Sequence, residues 1–145
     1  MKRIILLLII IVVLAAAWYG YKLYTGKVKS LTEVKADTTI MAGDLITAFE
    51  KDSAAANKQY LGKILAVNGN VKSVEKEDNT ATIILGKEGS LASVRCSMDS
   101  AFVPQAATIA NGTAVTIKGH CTGYMADELI GSDVILNRCV FTTKQ

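Results

Sequence analysis

The stretch Tyr60-Leu-Gly-Lys-Ile-Leu-Ala-Val-Asn-Gly-Asn-Val71 decides the fold. It follows a helical pattern and continues as an extended apolar segment with a glycine, Gly69, in its middle. A long strand interrupted by a glycine is what a small closed barrel needs in order to bend around a corner. The segments after it read as short strands that can pair with it, and the segments before it read as a tether.

Four more strands follow, each bounded by turn residues. Alternating or β-branched apolar patterns predict strands over residues 64–75, 80–85, 91–98, 113–119 and 133–142. Residues 99–110 hold the only proline, Pro104, and predict an irregular insert with a short helix, whereas residues 123–132 read as a loop. Five strands with an insert between the third and the fourth are the sequence order of an OB-fold barrel.

An amphipathic helix is predicted before these strands. Apolar residues recur at three- and four-residue spacings over residues 40–59, which is typical of a helix with one buried face. Thr38 or Thr39 can accept hydrogen bonds from its first amides, and Gly62 suits the left-handed conformation that ends many helices. Residues 22–37 have mixed charge without a strong period and read as a linker.

An unbroken apolar run over residues 4–17 follows the basic start Lys2-Arg3. One interpretation is a cleaved signal peptide, with Ala15-Ala16-Ala17 as its small-residue cleavage site. The other is an uncleaved signal anchor over about 18 residues, with Trp18 and Tyr21 at the membrane interface. The anchor is favoured because a bulky Trp18 is a poor start for a mature chain. Both interpretations place the following domain outside the cytoplasm.

The charge of the chain argues against a polyanion-binding protein. The 145 residues include 16 Lys and Arg against 13 Asp and Glu, and Lys2 and Arg3 precede the apolar run. The remainder is therefore close to neutral, whereas binding to nucleic acid depends on clustered positive charge.

The quoted strand and its surroundings resemble the bacterial tRNA_anti-like family of OB-fold domains. The resemblance covers about residues 39–141. Its members are typically short exported or membrane-anchored proteins, many of them lipoproteins, whereas this chain lacks a lipidation cysteine after its apolar run. The resemblance rests on the runs Leu45-x3-Phe49-Glu50-x-Asp52-x3-Ala56-Asn57-Lys58-x-Tyr60-x-Gly62-Lys63, Val67-x-Gly69-x-Val71, Val94-x-Cys96, Gly112-x2-Val115-x-Ile117-x-Gly119-x-Cys121-x-Gly123 and Asp133-Val134-x-Leu136-x2-Cys139.

The resemblance implies the fold and leaves the ligand open, because one fold serves many functions. The expected fold class is an all-β core: a five-stranded OB-fold barrel preceded by an amphipathic α-helix and an N-terminal transmembrane or signal helix. The expected units are a signal anchor or signal peptide over residues 1–21, a linker over residues 22–37, and the helix with the OB-fold domain over residues 38–145.

Three cysteines, Cys96, Cys121 and Cys139, fall on the third, fourth and fifth predicted strands. In OB topology the fifth strand lies between the other two, so Cys139 neighbours both. An exported location permits one disulfide. Cys121–Cys139 is favoured over Cys96–Cys139, and three buried thiols are the remaining alternative.

No catalytic residue, metal site or cofactor is predicted. His120, the one histidine, adjoins Cys121, but neighbouring residues of a strand point to opposite faces. The chain lacks Cys-x-x-Cys and His-x3-His spacings and a GxxxxGK[ST] phosphate loop. We therefore expect a protein that is not an enzyme.

The leading functional prediction is a non-catalytic binding module of the cell envelope, anchored in the inner membrane by its N-terminal helix, or periplasmic if that helix is cleaved. The expected partner is an envelope protein, a glycan or a small ligand. A single-stranded nucleic acid is an alternative that the second and third strands disfavour, since they lack aromatic residues for base stacking. A small cysteine-dependent envelope enzyme is the third alternative. Candidate ligand contacts are Lys72, Arg95, Lys118, His120, Tyr124 and Arg138.

Overall fold

The computed structural model describes residues 14, 15, 17–19, 31–127 and 131–142. The predicted signal anchor or signal peptide over residues 1–21 lies largely outside the described residues, as do residues 22–30 of the predicted linker. Among the residues that are described, no helix has both the length and the apolar character needed to cross a membrane.

Five strands form a closed barrel, and a sixth lies beside it. The ring order is β2–β3–β4–β6–β5, closed by pairing between β5 and β2. Only β4 and β6 run parallel within the ring, and β1 pairs with β2 in parallel from outside it. This is the strand order of an OB fold. The strands are β1 (Thr38–Met41), β2 (Ile64–Glu77), β3 (Thr80–Leu85), β4 (Ser93–Met98), β5 (Ala114–Asp127) and β6 (Gly131–Phe141).

The long strand β2 has two partners in the ring because it bends. Its first half pairs with β5, and its second half pairs with β3. The register shifts between Val71 and Ser73, so Lys72 is the extra residue of a bulge. Gly69 serves close packing: a Cβ atom there would lie 2.9 Å from the Cβ atom of Ala42.

Two helices, α1 (Ala42–Lys51) and α2 (Ser53–Tyr60), replace the single helix predicted over residues 40–59. The chain leaves helical geometry at Asp52, whose side chain accepts a hydrogen bond from the amide of Ala55 and so begins α2. The predicted caps Thr38 and Thr39 are wrong because both belong to β1. The positive φ predicted for Gly62 is confirmed at 77°.

The helices close one end of the barrel with apolar and aromatic side chains. Leu45 and Phe49 of α1 are fully buried in the barrel core. The Phe49 ring stacks on Tyr124 of β5 with 4.9 Å between centroids and contacts Tyr60 of α2 at 6.1 Å. The short helix predicted in the insert is also present, as a 3₁₀ turn followed by α3 (Val103–Ala106).

The loop predicted over residues 123–132 is wrong at both ends, and residues 128–130 between them lie outside the described residues. Strand β5 continues to Asp127, and residues 123–127 pair with residues 131–135 of β6. The prediction failed because this hairpin arm is exposed or half-buried and therefore lacks an alternating apolar pattern.

The last part of the predicted linker, residues 31–37, packs against the barrel. Leu31 is buried. The Lys118 ammonium donates to the carbonyl oxygens of Thr32 at 3.2 Å and Val34 at 2.6 Å. Asp37 and Ile64 exchange two hydrogen bonds, each 2.8 Å long. This segment, which we call the N-terminal strap, is therefore part of the folded domain.

Candidate functional site

A second bulge, in β6, shapes the candidate site. Between β5 and β6 the register passes from Lys118↔Val140 to His120↔Asn137, which gives β6 one extra residue. The pairing of β6 with β4 slips over the same segment. Arg138 lies at this point with φ 56°, in the left-handed region that is costly for a residue other than glycine. Bulges of this kind often re-aim side chains beside functional sites.

The β6 bulge borders a depression of about 680 Å³ on the outside of the barrel, within the size range of small-ligand sites. It lies where the end of β4 and the bulge of β6 meet the middle of β5. Two of the predicted ligand contacts, His120 and Arg138, are brought together in it. We call it the bulge depression; its lining is Leu31, Ser97, Met98, Asp99, Ser100, His120, Thr122, Asn137 and Arg138.

The two arginines of the described region differ in their partners. The Arg95 guanidinium pairs with the carboxylate of Glu75 and lies 4.0 Å from that of Asp133. For Arg138, the described part of the chain provides no ion pair, and its side chain is exposed. The cation of Arg138 is therefore available to a ligand, whereas that of Arg95 is already neutralised.

Three further predicted contacts, Lys72, Lys118 and Tyr124, interact with other parts of the domain. The Lys72 ammonium donates to the carbonyl oxygen of Ser90 at 2.6 Å. Lys118 is only 7% exposed and holds the N-terminal strap. Tyr124 stacks on Phe49. None of these three lines the bulge depression.

The outer face of β3 and β4 is the surface that OB folds commonly use for oligonucleotides. Here Arg95 is paired across it with Glu75, and Ser93 donates to the carboxylate of Asp133. Neither β3 nor β4 contains an aromatic residue. The face thus lacks both a base-stacking platform and an unpaired arginine within the described residues.

The three cysteines are fully buried thiols in the structure. The pKa of Cys139 is well above its usual value because its thiol is hydrogen-bonded to Cys96, because it is buried, and because of the charge of Cys96. Burial also raises the pKa of Cys121, against a smaller lowering effect of the Gly123 backbone. The Cys121–Cys139 disulfide stays a prediction, as does its alternative Cys96–Cys139.

Most of the depression was not foreseen from the sequence, but one signal for it exists. Buried positions of β6 alternate at Val134 and Leu136, and the next buried residue is Cys139. This slip from a spacing of two residues to three indicates a bulge at positions 137 and 138. The lining residues Ser97, Asp99, Ser100, Thr122 and Asn137 come from four segments and carry no local pattern.

A comparison with protein families agrees with the OB fold. The sequence matches the tRNA_anti-like family over residues 1–140. The chain belongs to the tRNA_anti-like family. None of the curated proteins matches it significantly.

Two solved structures show how far the likeness of this tRNA_anti-like chain extends. A proposed nucleic acid-binding lipoprotein from Klebsiella pneumoniae has a TM-score of 0.57 at 17% identity, over 74% of this chain and 92% of that one. A proposed aspartyl-tRNA synthetase from Leishmania major has a TM-score of 0.50 at 13% identity, over 81% of this chain but only 23% of that one. At these identities the likeness shows the OB fold alone.

Proposed function

We propose that the protein is a non-catalytic binding module, tethered to a membrane of the cell envelope on the side away from the cytoplasm, which recognises its ligand in the bulge depression. One observation carries the proposal: an exposed arginine, without an ion pair among the described residues, is held at positive φ beside the single histidine. Strained backbone at a non-glycine residue is typical of functional sites.

The placement of the reactive side chains supports a binding role over catalysis. His120 faces the depression, whereas its neighbour Cys121 is fully buried on the barrel side of β5. A cysteine nucleophile needs its imidazole base within hydrogen-bond reach. Burial also raises the pKa of Cys121 and so disfavours the thiolate.

The proposed tether is supported by the apolar run over residues 4–17 and the aromatic residues that follow it. The N-terminal strap, which is the part of the described domain nearest to that run along the chain, contributes Leu31 to the depression. The first residue of the strap is thus part of the ligand site.

Site-specific photo-cross-linking in intact envelope membranes tests this proposal. A photoreactive residue at Ser100, in the depression, is expected to give a defined adduct that Arg138→Gly abolishes. The same residue at Thr82, on the outer face of β3, is the matched control and is expected to give none. Adducts at Thr82 that nuclease treatment removes would support the nucleic-acid alternative, and absence of any Ser100 adduct would contradict the proposal.

The location is tested separately by adding protease to spheroplasts and to lysed cells. We expect a C-terminal tag on the full chain to be digested in spheroplasts and to remain with the membrane fraction before digestion. A tag protected until lysis would contradict the proposed orientation.

A further inference from the structure

The bulge depression contains one cation, Arg138, that the described residues leave without an ion pair. Arg95 has two carboxylates as neighbours, but Arg138 has none within the described residues. A guanidinium presents its N–H donors in a planar fork that matches oxyanions bidentately. The depression is therefore suited to an anionic group of a ligand.

The backbone at Arg138 gives a second reason to assign it a role. Asp78 is the other non-glycine residue with positive φ in the described chain, at 44°, and it lies in the short turn between β2 and β3. Asp tolerates this conformation in turns because its side chain bonds locally. Arg138 has no such compensation, since it is exposed inside a strand. Glycine would satisfy the backbone there but would remove the guanidinium.

The other donors in the depression distinguish between classes of oxyanion. Ser97 and Ser100 contribute hydroxyl groups, Asn137 an amide and His120 an imidazole. Together with the Arg138 fork, these groups offer more donors than the two oxygens of a carboxylate can accept. A phosphate monoester, with three terminal oxygens, matches them better.

One carboxylate opposes an anion in the depression. Asp99 lines it, and its Oδ1 atom accepts a hydrogen bond from the amide of Ala101. An Asn side chain at this position can accept the same bond without the charge. Asp99→Asn therefore removes the negative charge from the site but keeps the hydrogen bond from the amide of Ala101.

We infer that the bulge depression binds a phosphate group, with the Arg138 guanidinium as its principal donor and with His120, Ser97 and Ser100 around it. This inference rests on the proposed function and names its ligand class. The phosphate has two candidate sources, a soluble phosphate ester or a phospholipid headgroup of the tethering membrane. Nine residues separate Tyr21, the last residue of the predicted anchor, from Leu31 of the depression. A chain of that length spans at most about 35 Å.

The single histidine allows a direct test by NMR, because its imidazole signals report on His120 alone. The full chain, with a histidine-free tag, is placed in phosphatidylcholine nanodiscs and titrated with inorganic phosphate and with glycerol 3-phosphate. Chloride at matched ionic strength is the control for screening. A second arm replaces part of the phosphatidylcholine with phosphatidylglycerol and adds no phosphate.

We expect saturable shifts of the His120 signals in the wild type. Arg138→Gly should weaken phosphate binding at least about 10-fold, the loss expected for hydrogen bonds to a charged group, while its melting temperature stays equal or rises. Asp99→Asn should tighten binding several-fold. Asp78→Gly, which relieves the same backbone conformation away from the site, should leave binding unchanged. Shifts in the phosphatidylglycerol arm would identify the lipid headgroup as the source.

The inference is overturned if neither arm shifts the His120 signals, if Arg138→Gly binds phosphate as well as the wild type, or if Asp99→Asn binds more weakly. These failures are distinguishable from failure of the proposed function. A Ser100 adduct that forms in the envelope without phosphate binding would leave the binding module intact and reject only the ligand class.

Discussion

Gly119 of β5 packs against the β6 bulge more tightly than any side chain would allow. A Cβ atom at this position would lie 2.5 Å from Sγ of Cys139 and 3.1 Å from Cβ of Leu136. Both neighbours are fully buried in the barrel core, so neither can move into solvent. We expect Gly119→Ala to destabilise the domain.

The magnitude follows from two opposing terms. Overpacking a filled core costs about 1–3 kcal/mol. Restricting the unfolded chain by replacing glycine with alanine stabilises by about 0.4–1 kcal/mol where the backbone conformation permits it, and φ at Gly119 is not positive. With the middle of each range, the net loss is about 1.3 kcal/mol. For a domain of this size, each kcal/mol lowers the melting temperature by roughly 4–8 °C.

Urea unfolding followed by circular dichroism measures this loss. Gly123→Ala, on the same strand, is the matched control because a Cβ atom there meets nothing within 4 Å. Cys139→Ala removes the closest atom, so the double variant Gly119→Ala/Cys139→Ala should be at least about 1 kcal/mol more stable than the sum of the single effects. Equal stability of Gly119→Ala and Gly123→Ala, or simple additivity of the effects of Gly119→Ala and Cys139→Ala, would contradict this prediction.

Three further predictions concern the strap and the thiols. Lys118→Met should raise amide hydrogen exchange in residues 31–34 by at least about 10-fold, because two charge-assisted bonds are lost, whereas Lys118→Arg should raise it less. The free energy of unfolding should fall above about pH 9, because Cys139 stays neutral in the fold and ionises when unfolded, and the fall should be shallower in Cys139→Ala. Alkylation with and without reductant, read by intact mass and peptide mapping, tests the Cys121–Cys139 disulfide against a Cys96–Cys139 disulfide and against three free thiols.

Each of these has an outcome that contradicts it. Unchanged exchange in Lys118→Met would mean that the strap is held by other contacts. An equal decline of stability with pH in the wild type and in Cys139→Ala would remove the thiol as its cause. Alkylation of all three cysteines in the denatured chain, without reductant, would exclude any disulfide.

The strands with local signals were predicted well from the sequence. Residues 80–85 were predicted as a strand and form β3 with those bounds, because β-branched residues stand between two turn signals. The short parallel strand β1 was missed because its partner lies 27 residues further on, as the register Thr38↔Leu65 shows. A pairing between strands so far apart along the chain produces no periodic pattern of apolar residues in the sequence.

The candidate site was predicted less well, for a related reason. His120 and Arg138 were both selected as polar residues on strands, but their proximity depends on the β6 bulge. Lys118 is also a polar residue on β5, two residues before His120, and was selected for the same reason. Only the strap, whose backbone covers Lys118, distinguishes a structural lysine from an exposed side chain.

The parallel pairing of β1 with β2 determines how the domain bears mechanical load. A pull directed along β1 toward its N-terminus acts on the four residue pairs between Thr38↔Leu65 and Met41↔Asn68. Because these pairs lie side by side along the direction of the pull, their bonds are loaded together in shear and are not peeled apart one at a time. The Lys118 and Asp37 contacts lie ahead of them along the chain and take up the load first. The attachment is therefore built to yield in stages, strap before barrel.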